Sequence, residues 1–194
     1  MSDAFLAQAA LAAALAWGAG LRLYAVVFVL GLLGRSGSFD LPESLAVLSH
    51  PLVLAGSGVL ALAEFVGDKI PFVDSLSDTV QTFIRIPAGA LLAAAVFGDS
   101  SGAMQTLAAL AGGSFAATSH VAKAGTRALI NTSPEPVSNV AASFGEETLL
   151  GAGLWLAFVH PLLFLGALGV FSLATLWMLR RLWRWLTRRP ARPL

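Results

Sequence analysis

Four short motifs occur twice in this chain, in the same order and at nearly constant spacing. Ala, Gly and Leu are abundant here, so one match alone would be weak evidence, but four matches in register indicate an internal duplication. In a very apolar chain, duplication is typical of transporters and channels, whose working site lies where the two halves meet. The paired motifs are AGLR (19–22) and AGTR (124–127), SF (38–39) and SF (143–144), ESL (43–45) and ETL (147–149), and HPL (50–52) and HPL (160–162), at offsets of 105, 105, 104 and 110 residues.

The chain is too apolar to be a soluble domain. Of its 194 residues, 57% are hydrophobic and only 12% are charged, about half the charged fraction of soluble domains. At about 20 apolar residues per span, the chain has room for about five to seven membrane elements and for no separate soluble domain. It contains no cysteine, which excludes disulfides, thiolate chemistry and cysteine-ligated metals. The first residues lack a basic segment and carry Asp3, so we expect residues 5–17 to be a retained membrane helix rather than a signal peptide.

Half of the basic residues lie at the C-terminal end of the chain. Because arginine beside a membrane segment stays on the cytoplasmic side, we expect a cytoplasmic C-terminus. Trp183 and Trp185 lie among these arginines, which is typical of an interfacial anchor on anionic lipid headgroups. A short basic stretch beside a membrane helix offers no surface for reading a nucleic acid, and we expect no such partner. The arginines are Arg180, Arg181, Arg184, Arg188, Arg189 and Arg192.

The apolar stretches and their breaks predict an all-α membrane protein with about six membrane helices, some short or broken. Residues 5–33 are interrupted at 18–22; an unbroken helix there would be about 43 Å long against a hydrocarbon core of about 30 Å, so it is either strongly tilted or broken. His50-Pro51 opens a further helix, and Pro87 begins an apolar run over 87–98 that is short for a span. Small-residue runs at 88–95 and 107–117 offer faces for close helix packing, within the chain or in a homo-oligomer.

These segments are organised as two related three-helix repeats within one membrane domain. An odd number of membrane passes between equivalent positions would turn the second copy upside down, and we favour this inverted arrangement over a parallel one. The divisions are residues 1–66 for repeat 1, 67–102 for an amphipathic insert and a short membrane helix, 103–180 for repeat 2, and 181–194 for a basic cytoplasmic tail.

Charged side chains at bilayer depth are costly and usually mark a function. Arg22 and Arg127, the repeated pair, would approach each other at the repeat interface and make a centre that favours anions; Glu64, Asp68, Glu146 and Glu147 are candidate partners. The alternative is that each arginine only neutralises a carboxylate and fixes helix packing. We take as candidates for an ion or substrate pathway Arg22, Glu64, Asp68, Lys69, Asp74, Asp78, Arg85, His120, Lys123, Arg127, Asn139, Glu146 and Glu147.

One helix face in the insert is strongly acidic. Asp74, Asp78, Thr82 and Arg85 follow at helical spacing. Asp74 and Asp78 could hold a divalent cation such as Mg²⁺ or Ca²⁺, since hard cations prefer carboxylate oxygen; a solvated face with local ion pairs is the simpler interpretation. We otherwise expect no cofactor.

Five polar stretches spread over nearly the whole chain resemble a family of bacterial inner-membrane proteins, the domain of unknown function numbered 4126. The resemblance implies an integral protein of the bacterial inner membrane and carries no catalytic role. The stretches are GAGLRLY (18–24), SHPLVL (49–54), EFVGDKIPFVDSLSDTVQTFIR (64–85), KAGTRALINTSPEPVSNVAASFGEE (123–147) and HPLL (160–163).

The residues favour a small transporter or channel-like permease for an ion, a small anion or a substrate with a lipid headgroup, working as a homo-oligomer. For such a permease we expect Arg22 and Arg127 to face a wet cavity; a dry, fully paired centre would argue against it. The alternatives are a metal-dependent membrane enzyme acting on a lipid phosphate through Asp74 and Asp78, and a structural or assembly protein.

Overall fold

The protein is described here by a computed structural model that covers residues 3–132 and 136–187, all of whose regular structure is helical. No β-strand occurs in these two ranges, so the predicted all-α class is confirmed. The helices are α1 (Asp3–Arg35), α2 (Pro51–Gly67), α3 (Pro71–Val96), α4 (Gly102–Ile130), α5 (Pro136–Val159) and α6 (Pro161–Thr187), with a 3₁₀ helix at Glu43–Ser49.

Proline and histidine mark the helix boundaries that the sequence suggests. Four of the six helices begin at a proline, which fits the first helical position because the N–H that proline lacks has no intrahelical partner there. His50 caps α2, its Nδ1 accepting a hydrogen bond from the backbone N–H of Leu52 at 3.3 Å.

Pro87 does not begin a new helix; it lies inside α3, which runs unbroken from Pro71 to Val96. The short membrane helix predicted at 87–98 is therefore the second half of a longer one. Proline removes a single backbone hydrogen bond, and helix packing in a membrane protein tolerates that loss. Two residues later, a Cβ atom at Gly89 would lie 2.5 Å from that of Ala116, so α3 is held tightly against α4 here.

Three helices are long and apolar enough to cross a bilayer: α1, residues Leu76–Val96 of α3, and Pro161–Trp185 of α6. The 3₁₀ helix and α2 make a fourth if they form one span, with a 67° bend between them. Large apolar side chains cover the outside, such as Leu52 (77% exposed) and Phe83 (80% exposed), which is the surface expected of a protein surrounded by lipid.

Helix α1 is broken at Arg22, whose backbone angles (φ −150°, ψ 81°) are not helical. The chain folds back there: a Cβ on Gly18 would lie 2.8 Å from a methyl group of Val26, whereas residues eight apart in a straight helix are separated by about 12 Å. The break confirms one of the two possibilities predicted for residues 5–33. Helix α1 is thus a hairpin of two arms, residues 3–21 and 23–35, with Arg22 at its tip.

Both ends of this hairpin lie at one end of the bundle, which we call the N-terminal end. There the Phe5 ring packs on Phe97 (6.0 Å between centroids) and the Phe39 ring on Phe158 (4.7 Å). At the other end, which we call the charged end, Arg22 meets Ser143 near the start of α5. Helices α2, α4 and α6 therefore run towards the charged end, as does the first arm of α1. Helices α3 and α5 run away from it, as does the second arm of α1.

Small residues bring α1, α3 and α4 into close contact. A Cβ atom at Gly20 would overlap Ser119 and the Ala116 carbonyl of α4, and one at Gly112 would overlap Ala93 of α3. The small-residue runs predicted at 88–95 and 107–117 are thus used for packing within the chain, as small-residue faces are in membrane bundles.

Candidate functional site

Four cations are buried at the charged end: Arg22, Arg85, Lys123 and Arg127, each at most 3% exposed. They come from α1, α3 and α4, and carboxylates reach them from α2, α3 and α5. Buried charges of this kind persist only when they are paired and hydrogen-bonded, so the partners define what the cluster can do.

Asp68, just after α2, joins three of these cations through one oxygen. Its Oδ2 lies 2.8 Å from Arg22, 3.1 Å from Lys123 and 3.5 Å from Arg127. Burial by itself would raise the pKa of Asp68, but the charges of Lys123, Arg22 and Arg127 outweigh burial and lower this pKa below its usual range.

Glu146 of α5 makes a second bridge between the same cations. Its carboxylate lies 2.8 Å from Nε of Arg127, 3.2 Å from Arg22 and 3.3 Å from Lys123. Glu147 adds an ion pair with Arg22 at 3.2 Å, although 36% of the Glu147 side chain is exposed. The two repeated arginines therefore meet across shared carboxylates, and three of their four predicted partners are confirmed.

Neutral groups also accept hydrogen bonds from the arginines. Nη1 of Arg127 donates to the side-chain and backbone oxygens of Asn139, at 3.1 and 3.2 Å, and to the carbonyl of Asp68 at 3.0 Å. Arg22 donates to Oγ of Ser143 at 3.0 Å. Sequence reasoning identified Asn139 but not Ser143, whose only signal was its place in the repeated SF motif.

Asp74, in the first turn of α3, lies beside this cluster. It accepts a hydrogen bond from the side chain of Asn131 at 2.8 Å, and its other oxygen is 3.8 Å from Nε of Arg127. Burial raises the pKa of Asp74, more than the Asn131 bond and the Arg127 charge lower it.

The fourth predicted partner, Glu64, pairs with a different arginine. Arg85 of α3 donates through Nη2 to Glu64 and through Nη1 to Asp78 at 3.0 Å. Nη1 also lies 3.3 Å from Nδ1 of His120, whose Nε2 is 2.7 Å from the Thr82 hydroxyl. Lys123, 3.9 Å from Asp78, connects this group to the rest of the cluster.

Lys69 lies over the face of Phe65, with Nζ 2.9 Å from the ring centroid, and donates to the Phe65 carbonyl at 2.8 Å. Burial, followed by the nearby positive charge of Arg22, lowers the pKa of Lys69. An ammonium over an aromatic face is a cation–π contact; it holds a fifth positive charge beside Asp68 and Glu147.

Polar side chains of α4 satisfy backbone carbonyls next to the break in α1. Lys123 donates to the carbonyl of Leu21 at 3.3 Å, and Ser119 to that of Trp17 at 2.7 Å. Nothing in the sequence distinguishes Ser119 from the other small residues of α4, so its role was not predicted. The broken helix is thus tied directly to the charged cluster.

A groove of about 340 Å³ between α3 and α4 reaches the cluster from outside; its lining residues are Asp78, Thr79, Thr82, Ala124, Arg127 and Ala128. The predicted site residues therefore lie together, from Arg22 to Glu147, within one network. The described ranges contain no group of three or more His, Asp or Glu side chains arranged for a metal ion; Asp74 and Asp78, the predicted metal ligands, contact Asn131 and Arg85.

One of three comparisons with known proteins identifies a family. A family model described as Domain of unknown function (DUF4126) matches residues 9–181. No curated protein and no solved structure matches the chain.

Proposed function

The chain belongs to the DUF4126 family, and from its buried charges we propose that it is a small integral membrane transporter or channel-like permease. Its substrate class is an ion, a small anion or a molecule with a lipid headgroup. The observation that carries this proposal is the break of α1 at Arg22, inside the charged cluster. Transporter sites typically combine an interrupted membrane helix with charged side chains; here both lie at the charged end of the bundle rather than midway along it.

Among these substrates, the pairing of the arginines with carboxylates favours a cation over an anion. Arg22 and Arg127 face carboxylates of the protein rather than a wide wet cavity, so an anion would have to displace Asp68 or Glu146. This dry, paired centre argues against a permease, as expected from the sequence, and the break in α1 and the groove are what support one. The groove that reaches Asp78 and Arg127 provides the access that transport needs.

The proposal is tested by flux through purified protein in liposomes. Vesicles of phosphatidylethanolamine and phosphatidylglycerol are loaded with indicators for protons, sodium, potassium and chloride, and a gradient of each ion is imposed in turn. We expect the wild type to pass at least one ion and Arg22→Lys to lose most of that flux, because an ammonium cannot bridge the three carboxylates that the guanidinium contacts.

Arg35→Lys is the matched control, since Arg35 is exposed at the end of α1, and it should keep the wild-type flux. Arg127→Ala, at unchanged folding and assembly, gives a second test. Wild-type protein that is folded but passes none of the four ions would contradict the ion form of the proposal.

A structural or assembly role is the second candidate, and the extent of ion pairing favours it. In that case Arg22→Lys would lower thermal stability, yet cells carrying the folded variant would grow like the wild type. The metal-dependent enzyme has less support, because a divalent cation at Asp74 and Asp78 would displace Asn131 and Arg85 from them.

We further propose six membrane elements, namely the α1 hairpin and spans α2 to α6, in the bacterial inner membrane. Helix directions favour a parallel repeat over the inverted one that the sequence suggested. Arg22 and Arg127 both lie at the charged end, and His50 and His160 both precede helices that run towards it. The two other motif pairs have no equivalent placement, since Glu43 begins the 3₁₀ helix and Glu147 lies inside α5.

The C-terminal end of α6 is proposed as a cytoplasmic anchor on anionic lipid. Arg180, Arg181 and Arg184 with Trp177 and Trp185 line an open depression of about 600 Å³, and the Arg181 guanidinium lies 5.4 Å from the Trp177 ring. Arg188, Arg189 and Arg192 lie outside the described residues. A homo-oligomer remains part of the proposal.

A further inference from the structure

The charges of the cluster divide into two groups linked by Lys123, which lies 3.9 Å from Asp78, and only one of the groups is balanced. The central group has Arg22, Lys123 and Arg127, with Lys69 beside them, against four carboxylates, which are Asp68, Asp74, Glu146 and Glu147. The Arg85 group has one guanidinium against two carboxylates, Glu64 and Asp78. If both were ionised, this group would hold one uncompensated negative charge in a buried place.

His120, the remaining titratable group beside Arg85, does not supply the missing positive charge. Nη1 of Arg85 is a donor 3.3 Å from Nδ1 of His120, so Nδ1 must be the acceptor and carries no proton. The Thr82 hydroxyl donates to the carbonyl of Asp78 at 2.9 Å and therefore accepts from Nε2 of His120 at 2.7 Å. These contacts favour the neutral tautomer with its proton on Nε2.

Two unpartnered carboxylate oxygens lie in the Arg85 group, and one, Oδ1 of Asp74, lies in the central group, 3.8 Å from Nε of Arg127. Oε2 of Glu64 and Oδ2 of Asp78 are buried and accept no hydrogen bond from the described residues. Gln81, on the same helix as Asp78, has another such oxygen, Oε1. Buried acceptors are nearly always satisfied, so unsatisfied carboxylate oxygens beside a charge imbalance indicate that something binds here.

From this geometry we propose that Glu64 is a proton-binding site and that a proton is the coupling ion of the transporter proposed above, on which the second part of this inference rests. The proton is held on Oε2 while Oε1 accepts from Arg85. Proton binding makes the Glu64 carboxylate a neutral carboxylic acid and leaves Asp78 as the single partner of the Arg85 charge.

Glu64 is favoured over Asp78 because its environment is drier. The Glu64 side chain is 1% exposed and that of Asp78 7% exposed. Asp78 also lies 3.9 Å from Lys123 and lines the groove between α3 and α4, so its negative charge is better compensated. The charged groups around Glu64 are Arg22 on α1, Asp68 after α2, Arg85 and Asp78 on α3, and Lys123 on α4.

A proton fits this place better than a metal cation does. A cation needs several oxygen ligands, yet no group of three acidic or histidine side chains is arranged for one in the described ranges. The guanidinium that touches both carboxylates would also repel a cation. The proton needs only one oxygen, and it can enter along the groove, where Asp78 is the first carboxylate it meets.

The site is tested by infrared spectroscopy of the whole protein in lipid nanodiscs. A protonated carboxyl group gives a C=O stretching band that a carboxylate lacks and that shifts in D₂O. We expect this band in the wild type at neutral pH and its loss in Glu64→Gln. Glu43→Gln, an equal change at an exposed glutamate outside the cluster, should leave the band unchanged.

Asp78→Asn keeps Glu64 and provides the decisive variant. With Asp78 neutral, Arg85 has one carboxylate partner, so Glu64 should ionise and the band should disappear at neutral pH. A band that persists in Glu64→Gln, or one that persists unchanged in Asp78→Asn, would overturn the proposal. So would a band that disappears on adding sodium at constant pH, since a cation would then be the ligand.

The spectra need no transport, so the two proposals fail separately. Loss of the band in both variants, together with absent flux of all four ions in liposomes, supports the site and contradicts the ion form of the transporter; absent flux of protons alone contradicts proton coupling. Flux with no band dependent on Glu64 supports the transporter and contradicts the site. Proton flux that is abolished in Glu64→Gln and kept in Glu43→Gln supports proton coupling.

Discussion

At the residue scale, one oxygen of Asp68 contacts more charged partners than any other atom of the cluster. Replacing Asp68 should therefore destabilise the protein strongly. Asp68→Asn would leave Arg22, Lys123 and Arg127 with Glu146 as their main shared carboxylate. Removing one partner from a buried ion network costs about 3–5 kcal/mol. We expect a loss of this order in the free energy of unfolding, measured by tryptophan fluorescence in detergent. Asp99→Asn, at an exposed carboxylate, should change it by less than about 0.5 kcal/mol.

The lowered pKa of Asp68 determines how the difference in unfolding free energy between the wild type and Asp68→Asn depends on pH. A lowered folded-state pKa stabilises the protein fully above the unfolded-state value, about 3.9, and this stabilisation is lost as the pH falls through the folded-state value. The stability gap between wild type and Asp68→Asn should therefore be constant from pH 5 upward and shrink below about pH 4. A gap that shrinks instead between neutral pH and pH 5 would show that another group is responsible.

Which charges come together could be predicted from the sequence, but not how they pair. An apolar chain offers few partners, so Arg22 and Arg127 were expected near Asp68, Glu146 and Glu147. The pairing of Glu64 with Arg85 depends on the register of α2 against α3, which no local pattern encodes. Ser119 is one serine among several and carries no signal, and the only signal for Ser143 is its place in the repeated SF motif.

At the element scale, the position of the α1 break depends on close packing against α4. Gly20 faces Ser119 and the Ala116 carbonyl at a distance that leaves no room for a methyl group. Gly20→Ala should therefore force the helices apart and destabilise the fold by about 1–3 kcal/mol. Gly56→Ala is the matched control, because a Cβ there meets nothing within 4 Å; it should stabilise the exposed helix by about 0.5–1 kcal/mol.

The same elements show the limits of reading breaks from sequence. The length of residues 5–33 required a tilt or a break, and glycines next to Arg22 placed the break correctly. Pro87 gave an equally clear signal, yet α3 continues through it. The two positions differ in their tertiary contacts. The carbonyls beside the α1 break accept hydrogen bonds from Lys123 and Ser119. Around Pro87, the packing at Gly89 keeps α3 straight enough to continue.

At the scale of the whole molecule, the hairpin decides the topology, and this is where sequence reasoning was least informative. The four repeated motifs indicate a duplication, but the relative direction of the two copies depends on how many times the chain crosses the bilayer. One sharp turn at Arg22 adds a reversal that a hydropathy pattern counts as a single helix. That extra reversal places the equivalent residues Arg22 and Arg127 at the same end of the bundle.

The topology can be measured directly because the chain has no cysteine, so single cysteines label without background. The N-terminal end exposes Asp3, Asp40, Glu43 and Asp99 with only Arg35, while α6 carries its arginines beyond the charged end. The positive-inside rule then predicts that the charged end faces the cytoplasm. In intact bacterial cells, a membrane-impermeant maleimide should label Asp3→Cys and Ser38→Cys, and should label Thr132→Cys only after permeabilisation. Labelling of positions 3 and 38 from opposite sides would mean that α1 crosses the bilayer once and is not a hairpin. Labelling of Thr132→Cys alone in intact cells would keep the hairpin but reverse the orientation that the arginines predict.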